Sequence, residues 1–350
     1  RTATMRPATR TCDASAEASF PAPGSPDALL FGGEMVHLPR SGARRVRFWI
    51  DRFSERRYRD RIQRYLARAH VRAPEIRPVL RRAGVPEEML YLMLIESGGD
   101  PGAVSSARAV GMWQFMSYTA RDMDLRVGPY FDARRQPEAS TRAAARYLSL
   151  LHGEFGSWWL AMAAYNAGPH RVRRALLRAP GADYFELARR KLLPSSTREY
   201  VPKTLAALLI GRDPVRWGFD PAFVPRQPRR LDRLTVASGT TWEALAEATG
   251  APEGWLRRVN PEFPRDLVAA PGSARVRVPR GRAPPAAERL ASMPREERLG
   301  MLRHTVRPGE TVAEIAARYG MPVDRVLAIN RRVDPRRLAV GQQLRIPAGR

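Results

Sequence analysis

The chain has 350 residues, with 60 Lys or Arg against 35 Asp or Glu, a formal net charge of +25 and 44% hydrophobic content. That length permits two or three domains that each bury a core, and the composition is globular rather than disordered. No run of about eighteen apolar residues occurs, so no segment present is expected to span a bilayer as a helix.

Cys12 is the single cysteine, which excludes an internal disulfide and a thiolate metal cluster. His37, His70, His152, His170 and His304 lie far apart without metal-ligand spacing. The first residue is Arg1, as expected of a chain whose leader was removed or of a fragment, and Cys12 lacks the preceding apolar stretch of a lipidation signal. Lys191 and Lys203 are the only lysines, so the basic load is almost all arginine, spread over every region. Two readings stay open at this point: a biased composition, or a field for an anionic partner such as nucleic acid, an acidic membrane surface or a charged polymer.

Residues 1–40 are rich in Ala, Ser, Pro and Gly without a sustained period, which predicts a mobile leader. From Arg44 the spacing turns helical: Val46, Trp49, Ile50 and Phe53 share a face, followed by Ile62, Tyr65 and Leu66. Pro74, Pro78 and Gly84-Val85-Pro86 read as punctuation, and Pro86 suits the first turn of a helix carrying Met89 to Glu96. Helical patterns continue through "STRAAARYLSLLHGEF", "WWLAMAAYNAG", "PHRVRRALL" and "REYVPKTLAALLIG". Residues 41–212 are therefore expected to form an all-α domain.

A proline-rich stretch, 213–230, predicts a linker. Beyond it, "LTVASGTTWEALAEATGAPEGWLRRVN" matches "HTVRPGETVAEIAARYGMPVDRVLAIN" at a constant offset, pairing Thr235 with Thr305, Gly239 with Gly309, Thr241 with Thr311, Gly250 with Gly320, Pro252 with Pro322 and Asn260 with Asn330. Both copies read strand, helix, helix, strand. The expected class is α+β multidomain, with modules at 231–280 and 303–348 joined by a second linker, 281–302.

The chemistry concentrates in "LYLMLIESGGDPGAVSSARAVGMWQFM". A carboxyl at the end of so apolar a helix is desolvated, which raises its pKa and suits Glu96 to general acid work; the plainer alternative is a cap or a salt bridge to one of the many arginines. Asp100-Pro101-Gly102 reads as a turn. Gln114 offers an amide to a sugar, whereas at least two of Met112, Trp113 and Phe115 are expected in the core. Tyr165 and Asn166 bring polar groups to a helix end closed by Gly168-Pro169, and Trp158-Trp159 reads as core.

Four blocks, "IESGGDPGAVSSARAVGMWQFMSYTARDMDL", "YFDARRQPEASTRAAARYLSLL", "AMAAYNAGPHRVRRAL" and "TREYVPKTLAALL", together resemble the lytic murein transglycosylases of the soluble-transglycosylase, goose-lysozyme-like superfamily, over about 44–212 and closest to the membrane-bound D branch. The resemblance implies a lysozyme-like catalytic domain, with Glu96 catalytic and Ser97, Gln114, Tyr165 and Asn166 on the substrate side. In place of the small residue and Phe usual after Glu-Ser in that branch, the chain has Gly98-Gly99. The second repeat resembles a LysM module, which implies binding of N-acetylglucosamine-containing glycans near Gly309, Glu310, Thr311 and Ile346. The first repeat is a degenerate copy with Ser238-Gly239-Thr240-Thr241 and without the Gly-Gln-x-Leu block, consistent with a spacer.

Glycosidases generally need two carboxylates, and the matched blocks offer one; a single acid suffices when the substrate's own acetamido group assists. The resemblance thus implies cleavage of the bond between N-acetylmuramic acid and N-acetylglucosamine, closure of the muramoyl C6 hydroxyl onto C1, and a 1,6-anhydro end, with neither metal nor organic cofactor. It also implies a monomer acting on peptidoglycan strands in a bacterial periplasm or cell envelope, with outer-membrane association left open. Competing readings are a goose-type lysozyme-like hydrolase, a non-catalytic peptidoglycan-binding scaffold, and a nucleic-acid binder, for which no motif appears.

Overall fold

The computed structural model describes residues 25–220, 231–270, 273–319, 321–331 and 333–347. Gly320, paired with Gly250 in the repeat, lies outside the described residues, as do the leader up to residue 24 and most of the linker expected at 213–230.

The described part of the leader is ordered, which corrects the expectation of a mobile segment through residue 40. Strands β1 (Ala28–Phe31) and β2 (Glu34–His37) pair antiparallel, and Gly32 and Gly33 take positive φ at the turn between them. Leu29, Phe31 and Leu38 are buried in the core of the helical domain, and the Phe31 ring lies 4.8 Å from that of Trp159. Four residues per strand within a Pro- and Ser-rich context leave too short an alternation to register as a hairpin.

Helix α1 (Arg40–Ser54) buries Val46, Ile50 and Phe53 on the face predicted for it. Helix α2 (Arg56–Arg82) runs through Pro74 and Pro78, so the predicted breaks do not occur. Each proline removes one backbone hydrogen bond, yet Ala69, Ala73, Ile76 and Leu80 keep a continuous buried stripe that holds the helix to the core. A 3-10 turn at Glu87–Met89 leads into α3 (Leu90–Ser97), whose Leu90, Tyr91, Leu92, Met93 and Leu94 are all buried. The domain continues through α4 (Ser117–Asp122), α5 (Pro137–Phe155), α6 (Trp158–Ala167), α7 (Pro169–Arg178), α8 (Tyr184–Arg189) and α9 (Ser195–Arg212), with α2 and α9 packed against α3.

The first repeat comprises β3 (Leu231–Ala237), β4 (Thr240–Thr241), α10 (Trp242–Thr249), α11 (Glu253–Val259), β5 (Leu267–Val268) and β6 (Ser273–Pro279), with β3 and β6 antiparallel. The second linker is largely helical: α12 (Ala283–Ser292) lays Ala286 and Leu290 into the core of the first repeat, and α13 (Arg295–Arg298) follows. The second repeat holds β7 (Met301–Thr305), α14 (Val312–Arg318), α15 (Val323–Ile329) and β8 (Gln343–Pro347), with β7 and β8 antiparallel.

The repeat symmetry has a physical core. Asn260 and Asn330 are both buried; each amide nitrogen donates to the carbonyl four residues earlier and to a β-strand carbonyl, of Arg277 or Arg345, while each amide oxygen accepts from the same strand residue's N–H. One side chain thereby locks helix to strand in each copy.

The first repeat is also docked on the helical domain. Arg277 donates at 2.7 Å both to Glu262 of its own module and to Glu138 of α5, and Arg233 reaches Glu138 at 2.8 Å. The Asp132 N–H donates to the Glu262 carbonyl, and Phe131 packs on Phe263 at 5.4 Å between ring centroids. Removing one member of such a buried ion pair typically costs about 3–5 kcal/mol.

Candidate active site

Glu96 lies in the last turn of α3 and is brought there by the apolar run before it. The helix then stops at Gly98, whose φ of 64° is left-handed and whose N–H donates to the Leu94 carbonyl. Glycine is required at this position: a Cβ would stand 2.3 Å from the Tyr65 ring. The Ser97 hydroxyl donates to the Met112 carbonyl at 2.7 Å and so fixes the loop that returns beside the helix.

That loop is held from beneath. Gly111 has φ 86°, and a Cβ there would meet the Arg134 carbonyl at 1.9 Å. The Arg134 guanidinium, buried and paired with Asp132 at 2.8 Å, also donates to the Phe115 carbonyl and the Ser117 hydroxyl, each at 3.1 Å. Met112, Trp113 and Phe115 are all buried, so all three are core residues, and the Trp113 indole donates to Thr141. Gln114 is partly exposed with φ 50°, and its amide nitrogen is already committed to the Gly111 carbonyl at 2.8 Å.

Two phenols close over the acid. Tyr165, at the end of α6, donates to the Trp113 carbonyl at 2.7 Å and packs against Phe115 and Tyr147. Tyr200, buried on α9, donates its hydroxyl to Oε1 of Glu96. Desolvation pushes the Glu96 carboxyl up to about 7, against the opposing pull of the Tyr200 hydrogen bond. Burial, then the nearby Glu96 charge, holds both phenols well above their usual range, so each remains a neutral hydrogen-bond donor. Asn166 stands apart: it is exposed, and its amide oxygen accepts from Thr197 at 2.9 Å.

The acids of the neighbouring segments are placed differently. Asp132 is paired with Arg134, Asp100 accepts from the Gly102 N–H in its turn, and Asp122 is exposed at the end of α4. Tyr200 is the site residue that the sequence left unassigned. It stands in the block "TREYVPKTLAALL", but that block shows only a helix, and its contact with Glu96 spans 104 positions.

In the second repeat, Gly309 takes φ 78° at a turn and Thr311 caps α14 in a reciprocal box with Glu314. The Glu310 carboxylate is consumed internally by His304, Arg318 and the Arg307 N–H; desolvation is outweighed by these partners, and its pKa falls to about 2. Ile346 is fully buried in the module core, which corrects its expected place on a ligand-facing surface: only its backbone is left for that. Trp158 and Trp159 are partly buried, Trp158 stacked on His152 and Trp159 on the hairpin.

Family comparison matches residues 76–187 to the transglycosylase SLT domain and residues 304–347 to the LysM domain. The SLT match thus falls within the helical domain and the LysM match on the second repeat. It is similar to membrane-bound lytic murein transglycosylase D of Escherichia coli, with 32% identity over 285 residues that cover 77% of this chain and 62% of the relative. It is also similar to endo-type membrane-bound lytic murein transglycosylase A of Salmonella paratyphi B, with 34% identity over 90 residues, covering 23% of this chain and 44% of that protein. Among solved structures, the lytic transglycosylase Slt of Pseudomonas aeruginosa aligns with 25% identity over 43% of this chain and 24% of its own, at a TM-score of 0.34. The chain therefore spans less than two thirds of the length of these proteins.

Proposed function

We propose that this protein is a peptidoglycan lytic transglycosylase, with Glu96 as its single acid and base. The observation that carries the reading is a carboxyl held near neutrality by its apolar surroundings and hydrogen-bonded by Tyr200, with a second neutral phenol, Tyr165, close by. With a pKa of about 7, Glu96 is protonated often enough to donate to the glycosidic oxygen and basic enough afterwards to take a proton back. Tyr200 stabilises the carboxylate formed between the two steps. The proton taken back is that of the muramoyl C6 hydroxyl, which attacks C1 at the high effective concentration of an intramolecular group. The anomeric centre is supported by the substrate's own acetamido carbonyl, the substrate-assisted route.

On this reading Ser97 and Gln114 shape the cleft wall through the backbone they hold, and Tyr165 positions the 111–114 loop. The 303–348 module retains the enzyme on glycan, and the site of action is the cell envelope. The E. coli relative is named as membrane-bound, while no described helix here is long and apolar enough to cross a membrane.

The test is mass spectrometry of products released from purified sacculi. Anhydromuramoyl ends, lighter by one water and without a reducing terminus, support the proposal. Reducing N-acetylmuramic acid ends, lost in the Glu96→Gln variant, would assign Glu96 to a hydrolase instead.

A further inference from the structure

Between the helical domain and the docked first repeat lies a groove of about 940 Å³, within the size range of pockets that enclose a small ligand. One wall is α2, presenting Arg68 and Arg72; the facing wall is α11, presenting Trp255 and Arg258. Its edge is the loop of Gly99 and Asp100, which leaves the helix carrying Glu96 two residues earlier. Gly99 has no side chain to project into the opening.

The polar groups here are unequally matched. The floor pair, Glu138 and Arg277, is closed on itself by the docking contacts, and Arg68 donates to the Gly98 carbonyl at 3.3 Å. Arg72 shares the groove with Glu75, Glu138 and Asp100 and with the like charge of Arg277, but closes no ion pair with a described residue, and the exposed Arg258 closes none either. The Trp255 ring is partly buried at the edge of the first repeat's core, and its indole N–H has no described acceptor. Two guanidinium forks on opposite walls, with an aromatic ring on the same wall as one of them, suit a ligand that bears carboxylates on a partly apolar frame. Glu75 and Asp100 at the same rim disfavour a run of phosphates but would accept an ammonium group, so the charge pattern matches a zwitterionic peptide better than a polyanion.

We propose that this groove binds the peptide branch of the glycan strand, with its carboxylates on Arg72 and Arg258 and an apolar portion against Trp255. This rests on the murein reading above. The first repeat then acts as the second wall of a substrate site.

The test is calorimetric titration of the full chain with a disaccharide-tripeptide that lacks the cleavable bond. Its carboxylates are free in one probe and amidated in a second, and the peptide is absent from a third. The free-carboxylate probe should bind about tenfold more tightly than the amidated one. Arg258→Gln should remove part of that difference, and Arg72→Gln with Arg258→Gln all of it, without changing the affinity for the peptide-free probe. Because Arg258 is exposed, the single variant should melt with the parent protein. Equal binding of free and amidated probes by the parent, or a difference that survives the double substitution, would overturn the proposal. Cleavage of peptide-free glycan strands is followed in parallel: its absence would defeat the lytic reading, while the ratio between probes reports on the groove alone.

Discussion

The Tyr200 hydroxyl on α9 donates to Oε1 of Glu96 at the end of α3, and these two side chains, 104 positions apart, set the protonation of the site. The bond favours the charged form of Glu96 and opposes the desolvation that raises its pKa. In Tyr200→Phe the pKa should therefore rise further. The high-pH limb of the rate profile, where the acid loses its proton, should move to higher pH, while turnover falls about ten- to hundredfold through the loss of one charge-assisted hydrogen bond. A limb that stays in place would show that Tyr200 is only a packing residue.

Glu96 also has a stability cost with a definite sign. Its folded pKa of about 7 lies above the ordinary 4.5, so the folded state holds the proton more tightly and stability falls as pH rises through that window. Below about 4.5 there is no cost; above about 7 it reaches about 3 kcal/mol. Glu96→Gln should abolish turnover and yet be more stable than the parent at pH 8, with the advantage shrinking towards pH 4.5. Urea unfolding at the two pH values measures this, and a constant difference would contradict it.

Arg134 supports the loop that carries Gln114 through the Phe115 carbonyl and the Ser117 hydroxyl while neutralising buried Asp132. Arg134→Met should cost about 3–5 kcal/mol, because Asp132 would be left charged and unpaired. Adding Asp132→Asn should recover part of the stability but not the loop, so turnover would stay depressed. A double variant with full activity would show that the loop holds itself.

Much of this was legible in the sequence where the signal is local. The helical periods, Glu96 at the end of its apolar helix and the Asn260–Asn330 equivalence all rest on short-range patterns, and Met112, Trp113 and Phe115 are core residues as their apolarity suggests. What was not legible depends on tertiary partners. Pro74 and Pro78 sit within α2 because packing outweighs the lost hydrogen bonds, the supposed linker forms α12 because Ala286 and Leu290 find a core, and Tyr200 meets Glu96 only once α9 crosses α3. Glu310, read as a ligand contact, is drawn inward by His304 and Arg318, a pairing across a turn that no linear pattern displays.

Ending the chain at residue 300 should remove binding to sacculi, measured by pelleting. It should also lower the melting temperature, because Leu267 and Ala269 of the first repeat are buried in the core of the second. A truncated protein that pelleted as the parent does would deny the second repeat its role in retention. An unchanged melting temperature would deny the shared core.

That shared core, with the Tyr130 hydroxyl bonded to the backbone of Arg303 and the ion pairs at Arg277, bears on more than stability. Among the described residues, these contacts join the helical domain and both repeats into one frame. On the proposed activity, a strand held at the second repeat meets Glu96 at a separation fixed by the protein, as the jaws of a caliper fix a span. Fragment lengths should then cluster about a preferred value, a signature that freely swinging modules would blur.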